Sequence, residues 1–259
     1  MRVVVLTSAR RGTASHHLPV LVGSPQYKVV RVILAGAPTR PKGGLMKKLR
    51  KVLRIGPLGA LMGYRMRAWY TTDVQALSPM EDIDVLCERF GIELVTSPWV
   101  NHPDTVTAMK EANPDVALSL GNGYIASRVF MLPRLGMLNI HHELLPEYQN
   151  AQGVIWPIYN GSRVTGYTIH RIDKGIDTGA IVRREEVPIR FGPRLRDTVT
   201  RTMVAVLDAS AAACRAVLED LPTRLAAARP QGPGHKWTTP SFGQYLRILR
   251  NHRRLRDER

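Results

Sequence analysis

Two polar residues inside an apolar run, and one acidic residue in a distant glycine-rich loop, are the side chains of this sequence best suited to chemistry. In LNIHHELLPEYQ, residues 138–149, Asn139 and His141 alternate with Leu138 and Ile140. In an extended chain residues i and i+2 point the same way, so an amide and an imidazole would share one small volume while their neighbours face the core. An amide NH2 and an imidazolium both donate hydrogen bonds, and the second adds positive charge, which together stabilise a developing oxyanion. A base is still missing. Asp177 in KGIDTGAI can supply it, because glycines let the backbone of that loop approach a ligand. A carboxylate beside an imidazolium can accept a proton from an attacking amine, directly or through one water, and hold the ring charged. Taken singly, each residue has a plainer reading. A histidine on a strand among apolar neighbours is more often structural than catalytic, Asn139 could serve only the backbone, and His142 reads as a loop or supporting residue. His141, His142 and Asp177 could ligate zinc, but no HExxH or cysteine partner supports a site. No metal is expected.

The elements that would position these groups follow from hydrophobic period. MRVVVLT at the start and KVVRVIL at 28–34 are continuous and β-branched, as in strands buried on both faces of a parallel sheet. Between them the polar loop SARRGTASHH opens a helix near Ser15, where backbone amides could receive an anion; an ordinary strand-to-helix turn reads as well. MEDIDVLCERFG reads as a helix, IELVTSPWV as a short strand, and residues 104–112 as a helix before NPDVALSLGNGYI. This alternation predicts an α/β fold with a doubly wound, mostly parallel sheet. VTGYTIHRIDKGIDTGAIVRREEVPI reads as a hairpin, and 193–218 as a long helix with Leu195, Val199, Met203, Val206 and Ser210 or Cys214 on one face. The Pro- and Gly-rich ARPQGPGHKWTTP reads as a linker to a final basic helix from about Phe242. Gly121, Gly123 and Ala126 form GxGxxA after a strand, but the next strand carries Asn139 and His141 rather than an acidic residue. The motif is better read as a turn that brings backbone close to a flat ligand.

Composition limits the function classes. Of the 259 residues 44% are hydrophobic, enough for a real core. Cys87 and Cys214 lie far apart and suggest no disulfide framework. The first apolar run is too short for a signal core and no run of about 18 apolar residues occurs, so no membrane span and a cytoplasmic location are expected. The net charge of +16 is uneven. Residues 40–67 hold nine Lys or Arg and no acid, and residues 247–259 hold six Arg against Asp257 and Glu258. The body is nearly neutral and carries two basic appendages. In the first, Leu45, Leu49, Val52 and Leu53 recur at helical spacing among lysines and arginines, with a break at Gly56-Pro57. It reads as a packed helix with a solvated basic face, or as a contact for an anionic substrate or a membrane surface.

The run LNIHHELLPEYQNAQGVIWPIYNG followed by GYTIHRIDKGIDTGAIV resembles the formyltransferase family, which includes glycinamide ribonucleotide transformylase, methionyl-tRNA formyltransferase and the nucleotide-sugar N-formyltransferases. Asn-x-His-x-x-Leu-Leu-Pro and the later Asp-x-Gly loop both match in order and spacing. The resemblance covers roughly residues 1–10 and 75–220, which implies a catalytic domain over 1–220, a helical insertion at about 40–72, and a linker and basic helix over 221–259. It places the catalytic asparagine, histidine and aspartate at Asn139, His141 and Asp177. It also implies 10-formyltetrahydrofolate as donor, with the pterin held by the backbone at Tyr124, Ile125 and Ala126 and by the loop leading through Ile176 to Asp177. The acceptor implied is a primary amine on a small, anionic molecule, a nucleotide-linked amino sugar first. Arg10 and Arg11 are candidates for its phosphates. Many relatives have Ser at Glu143 and Pro at His142, so Glu143 is expected on the pocket rim, recognising a cationic amine or orienting His141. A homodimer is a further expectation, and nucleic acid is a less favoured partner because little chain follows the long helix. Other readings are a hydrolase acting on the same folate and an inactive scaffold that binds through its basic appendages.

Overall fold

The β-branched runs form the inner strands of one seven-stranded sheet. In the computed structural model, which describes residues 1–36 and 44–258, the chain begins with β1 (Arg2–Thr7), α1 (Thr13–Leu21), β2 (Lys28–Ala35), α2 (Gly44–Tyr70), α3 (Thr72–Leu77), α4 (Ile83–Phe90) and β3 (Glu93–Ser97). It continues through α5 (Pro103–Ala112), β4 (Val116–Ser119), α6 (Ser127–Phe130), β5 (Met137–His141), α7 (Ile155–Tyr159), β6 (Val164–Arg171) and β7 (Ile181–Pro188). The last elements are α8 (Leu195–Glu219), α9 (Leu221–Ala226) and α10 (Phe242–Asp257).

The strand order is β3-β2-β1-β4-β5-β6-β7. The first five strands are parallel, while β6 and β7 form the expected hairpin, β6 pairing antiparallel to β5 and β7 antiparallel to β6. The order reverses between β1 and β4, and the crevice above the carboxyl ends of strands at such a point is where α/β sheets bind ligands. One face of the sheet is covered by α1, α4 and α8 through a core that includes Val5, Leu18, Leu86, Leu118 and Val206. The other face packs Val4, Ile33, Ala117 and Met137 against Met109 and Phe130 of α5 and α6.

A third core lies beside the sheet. The N-terminal half of α8, through Leu195, Val199, Met203 and Leu207, meets Met66 of α2, Trp156 of α7 and Ile248 and Leu255 of α10. The two basic stretches are therefore not free appendages; α2 and α10 pack on each other and on the body. Gly56 breaks α2 with φ 76°, as the Gly-Pro pair predicts. The apolar stripe expected to pack does not do so at Leu49 and Leu53, which face solvent. The 37–43 part of the basic stretch lies outside the described residues.

Candidate active site

β5 ends at the crevice and sorts its side chains by alternation. Leu138 and Ile140 enter the core under α8, while Asn139 and His141 turn to the other side and line a cavity of about 560 Å³. Pairing with β6 adds a residue that the period of either strand alone cannot supply. Asn139 stands opposite His170, and their side chains meet at 3.1 Å between Nδ2 and Nε2. His170 Nδ1 lies 2.9 Å from the carbonyl oxygen of Arg171. A carbonyl only accepts, so this nitrogen carries the proton, and in the neutral ring Nε2 accepts from the Asn139 amide. His170 thus fixes which way the NH2 of Asn139 points.

His141 is held in the same manner. Its Nε2 donates to the Tyr148 carbonyl at 2.8 Å, which leaves Nδ1 facing Asp177 Oδ2 at 3.6 Å. Asp177 also stands 3.6 Å from His170 Nε2 and accepts the backbone N–H of Asn150 at 2.9 Å. Burial works to raise the Asp177 carboxyl, but the adjoining His170 and His141 imidazoles and the Asn150 N–H outweigh it and hold it at about 2. Burial lowers the His141 imidazole below 6.5, against the opposing pull of Asp177 and the Tyr148 carbonyl. Burial thus works against the expected imidazolium and toward a neutral ring, with Nδ1 open beside the Asp177 carboxylate. That nitrogen can take a proton, and Asp177 stabilises the cation that results.

The loop that presents Asp177 is rigidly built. Asp177 has φ 54° and Asn150, which binds it, φ 53°; Asp and Asn tolerate this left-handed region better than most residues. Asp173 Oδ1 accepts from Gly175 N at 2.9 Å and Thr178 Oγ1 at 2.6 Å, closing the turn. A Cβ at Gly179 would run into the Arg171 carbonyl. The segment read as a linker supports this loop. Residues 235–237 run beside Gln149, the Trp237 carbonyl accepts from Asn150 Nδ2 at 2.9 Å, and the Trp237 indole lies against Trp156 with centroids 4.3 Å apart.

The remaining expectations divide. Tyr124, Ile125 and Ile176 line the cavity, with Gly121, Gly123 and Gly175 giving backbone walls. Ala126 does not, and its N–H is bound by Asn101 Oδ1 at 2.7 Å, while Asn101 Nδ2 donates to the Tyr124 carbonyl at 2.9 Å. Arg11 lines the cavity and pairs with Asp82 at 2.6 Å. Arg10 is turned away to Asp84. Glu143 requires a correction: it is fully buried, outside the cavity wall, and accepts from Val154 N, from Thr165 Oγ1 at 2.9 Å and from Leu144 N at 3.3 Å. Burial raises its carboxyl to about 8 despite these donors. It anchors the 148–154 loop, where Val154 has φ 72°, and so supports Tyr148 and Asn150 rather than touching a ligand. His142 lines the cavity, and burial, helped by His141 and His16, lowers it to about 4. The insertion also contributes a wall, since Tyr70 and Thr71 line the cavity and the Tyr70 hydroxyl donates to the Gly153 carbonyl at 2.8 Å. Among the described residues no cluster of His, Cys, Asp or Glu could hold a metal.

A family model described as formyl transferase matches residues 77–218. The chain belongs to the formyl transferase family. Its matched core runs from α3 to α8 and contains Asn139, His141, His170 and Asp177. A methionyl-tRNA formyltransferase of Kosmotoga olearia is 35% identical over 105 residues, which are 40% of this chain and 34% of that protein. The chain thus matches about a third of the length of that relative. Among solved structures, phosphoribosylglycinamide formyltransferase from Streptococcus pneumoniae aligns with TM-score 0.55 and 17% identity over 85% of this chain and 98% of its own. A sugar 3N-formyl transferase, solved in the presence of dTDP and 5-N-formyl-THF, aligns with TM-score 0.53 and 15% identity over 99% of this chain and 79% of its own. These two likenesses establish the fold.

Proposed function

We propose that the protein transfers a formyl group from 10-formyltetrahydrofolate to a primary amine, using Asn139, His141 and Asp177. The observation that carries this reading is their convergence with His170 on one cavity, in a chain of the formyl transferase family. The cavity suits a flat ring with polar edges. Gly121, Gly123 and Gly175 leave its walls open to backbone, Tyr124, Ile125 and Ile176 offer apolar faces, and its volume lies within the ordinary range of small-molecule sites. When bound there, the formyl-folate supplies an activated one-carbon unit at the oxidation level of formate.

The side chains then have separable tasks. The NH2 of Asn139, aimed by His170, donates to the formyl oxygen as its charge builds. As the amine nitrogen bonds to the formyl carbon its proton passes to His141 Nδ1, and Asp177 holds the imidazolium formed. That proton returns to the folate nitrogen as the old carbon–nitrogen bond breaks. For the acceptor, Thr71, Gln75 and Arg11 give polar contacts beside Val74, Met80, Met203 and Leu207. A small anionic amine such as a nucleotide-linked amino sugar fits this mixed wall. The methionyl-tRNA reading is favoured by the name of the sequence relative and by the positive charge of the chain.

The test is tetrahydrofolate release from 10-formyltetrahydrofolate with panels of amino sugar nucleotides, amino acids and methionyl-tRNA. Release that depends on one amine class, with the formylated amine found by mass, supports the proposal and names the acceptor. Release without any amine would make the protein a hydrolase. No release in either case would leave it a binding protein.

A further inference from the structure

Large apolar side chains on α2 face solvent where a surface helix ordinarily places polar ones. Leu53 and Tyr64 are 74% and 72% exposed, Leu49 is 52% exposed, and Leu58 and Leu61 are 50% each. Beyond the kink at Gly56 the helix packs through Gly59, Gly63 and Met66. A Cβ on Gly59 would stand 3.1 Å from the backbone nitrogen of Phe242, and one on Gly63 would run into Thr239, so this side is pressed onto the start of α10. At about 100° per residue the opposite side carries Pro57, Leu61, Tyr64 and Ala68, with Arg65 and Arg67 at its two margins; all six are exposed. Arg194 and Arg196 nearby pair with Asp197 and Asp73. Arg65 and Arg67 pair with no carboxylate among the described residues. On α10, Phe242 and Leu246 are also exposed, and Arg250 and Arg253 follow on the same side.

Phosphates of a nucleic acid would call for the arginines but not for a row of leucines. A second copy docked symmetrically would set these arginines against their own kind. An anionic bilayer surface uses both chemistries: apolar side chains enter the acyl boundary while guanidinium groups remain among the headgroup phosphates. We propose that the exposed face of α2, with the start of α10, docks the protein on an anionic phospholipid surface. The face stands apart from the cavity, which α2 reaches, among the described residues, only through Tyr70, so docking leaves the site open.

The experiment is co-sedimentation of the full chain with vesicles of phosphatidylcholine, alone or with about a third phosphatidylglycerol. The protein is expected to sediment with the phosphatidylglycerol vesicles, and less so as salt is raised. Leu61→Glu/Tyr64→Glu should weaken this association about tenfold or more, and Arg65→Glu/Arg67→Glu about as much. These residues lie on the surface, so both variants should keep the wild-type melting temperature. The proposal is overturned if wild type stays in the supernatant, or if the Leu61→Glu/Tyr64→Glu variant binds vesicles as wild type does. It is also overturned if that variant instead converts a dimer to a monomer by light scattering, or if wild type retains RNA while ignoring vesicles.

Discussion

At the residue scale, the site depends on hydrogen bonds that fix which atoms face the ligand. Asn139→Ala removes the proposed donor to the formyl oxygen and should lower kcat for formyl transfer by about 10²–10³. His170→Ala leaves Asn139 in place but frees its amide to rotate, so kcat should fall by about tenfold or more with little change in KM for the folate. Equal loss in KM would mean that His170 holds the ligand itself. If His141, lowered by burial, is the proton acceptor as proposed, the acid limb of the rate profile should lie below pH 6.5. Asp177→Asn removes the charge that pulls His141 upward and should move that limb lower still while reducing the rate. Glu143 is the opposite case for stability. Its carboxyl is raised in the folded state to about 8 from 4.5, so the fold binds an extra proton between those values. The associated stability is fully present below pH 4.5 and lost as pH rises toward 8. Glu143→Gln should flatten this fall in melting temperature; an unchanged slope would mean that Glu143 is ionised throughout. The convergence of Asn139, His141 and Asp177 on one cavity was legible in the sequence, because two share a strand period and the third sits in a glycine loop that the family resemblance joins to them. His170 was not, since its role depends on the pairing register of β5 with β6, and Glu143 was misplaced on the rim because its burial depends on the 148–154 loop folding over it.

At the element scale, glycines and left-handed residues set the shape of the loop that carries Asp177. Gly179→Ala would press a methyl group into the Arg171 carbonyl, and a melting scan should show a loss of about 2 kcal/mol or more. Formyl transfer should fall with it, since Asp177 would shift away from His141. The strands and the hairpin were readable from β-branched runs and alternation, because a sheet buried on both faces leaves that signature. The turn residues also marked the break in α2 correctly. Period could not show which side of α2 would be covered: Leu49 and Leu53 form a helical stripe in the sequence, yet the packing of Gly59 and Gly63 against the start of α10 decides the orientation farther along.

At the scale of the whole molecule, the tail is part of the core rather than an addition to it. Ile248 is fully buried between α10 and its neighbours, so Ile248→Ala should cost about 2–5 kcal/mol in a denaturant melt. A cost near zero would return the tail to the status of an appendage. Proline and glycine content made residues 228–240 look like a linker, but composition carries no information about the indole of Trp237 on Trp156 or the bond from Asn150 to the Trp237 carbonyl. Uneven charge likewise gave no sign that the two basic stretches would meet. The central claim, that the cavity holds a formyl-folate over Asn139 and Asp177, is tested most directly by thermal shift with 5-formyltetrahydrofolate, an unreactive isomer of the donor. Binding to the native state alone should raise the melting temperature in a saturable way, and the rise should weaken in an Asn139→Ala/Asp177→Ala variant. No shift in wild type at millimolar ligand, or the same shift in both proteins, would contradict it.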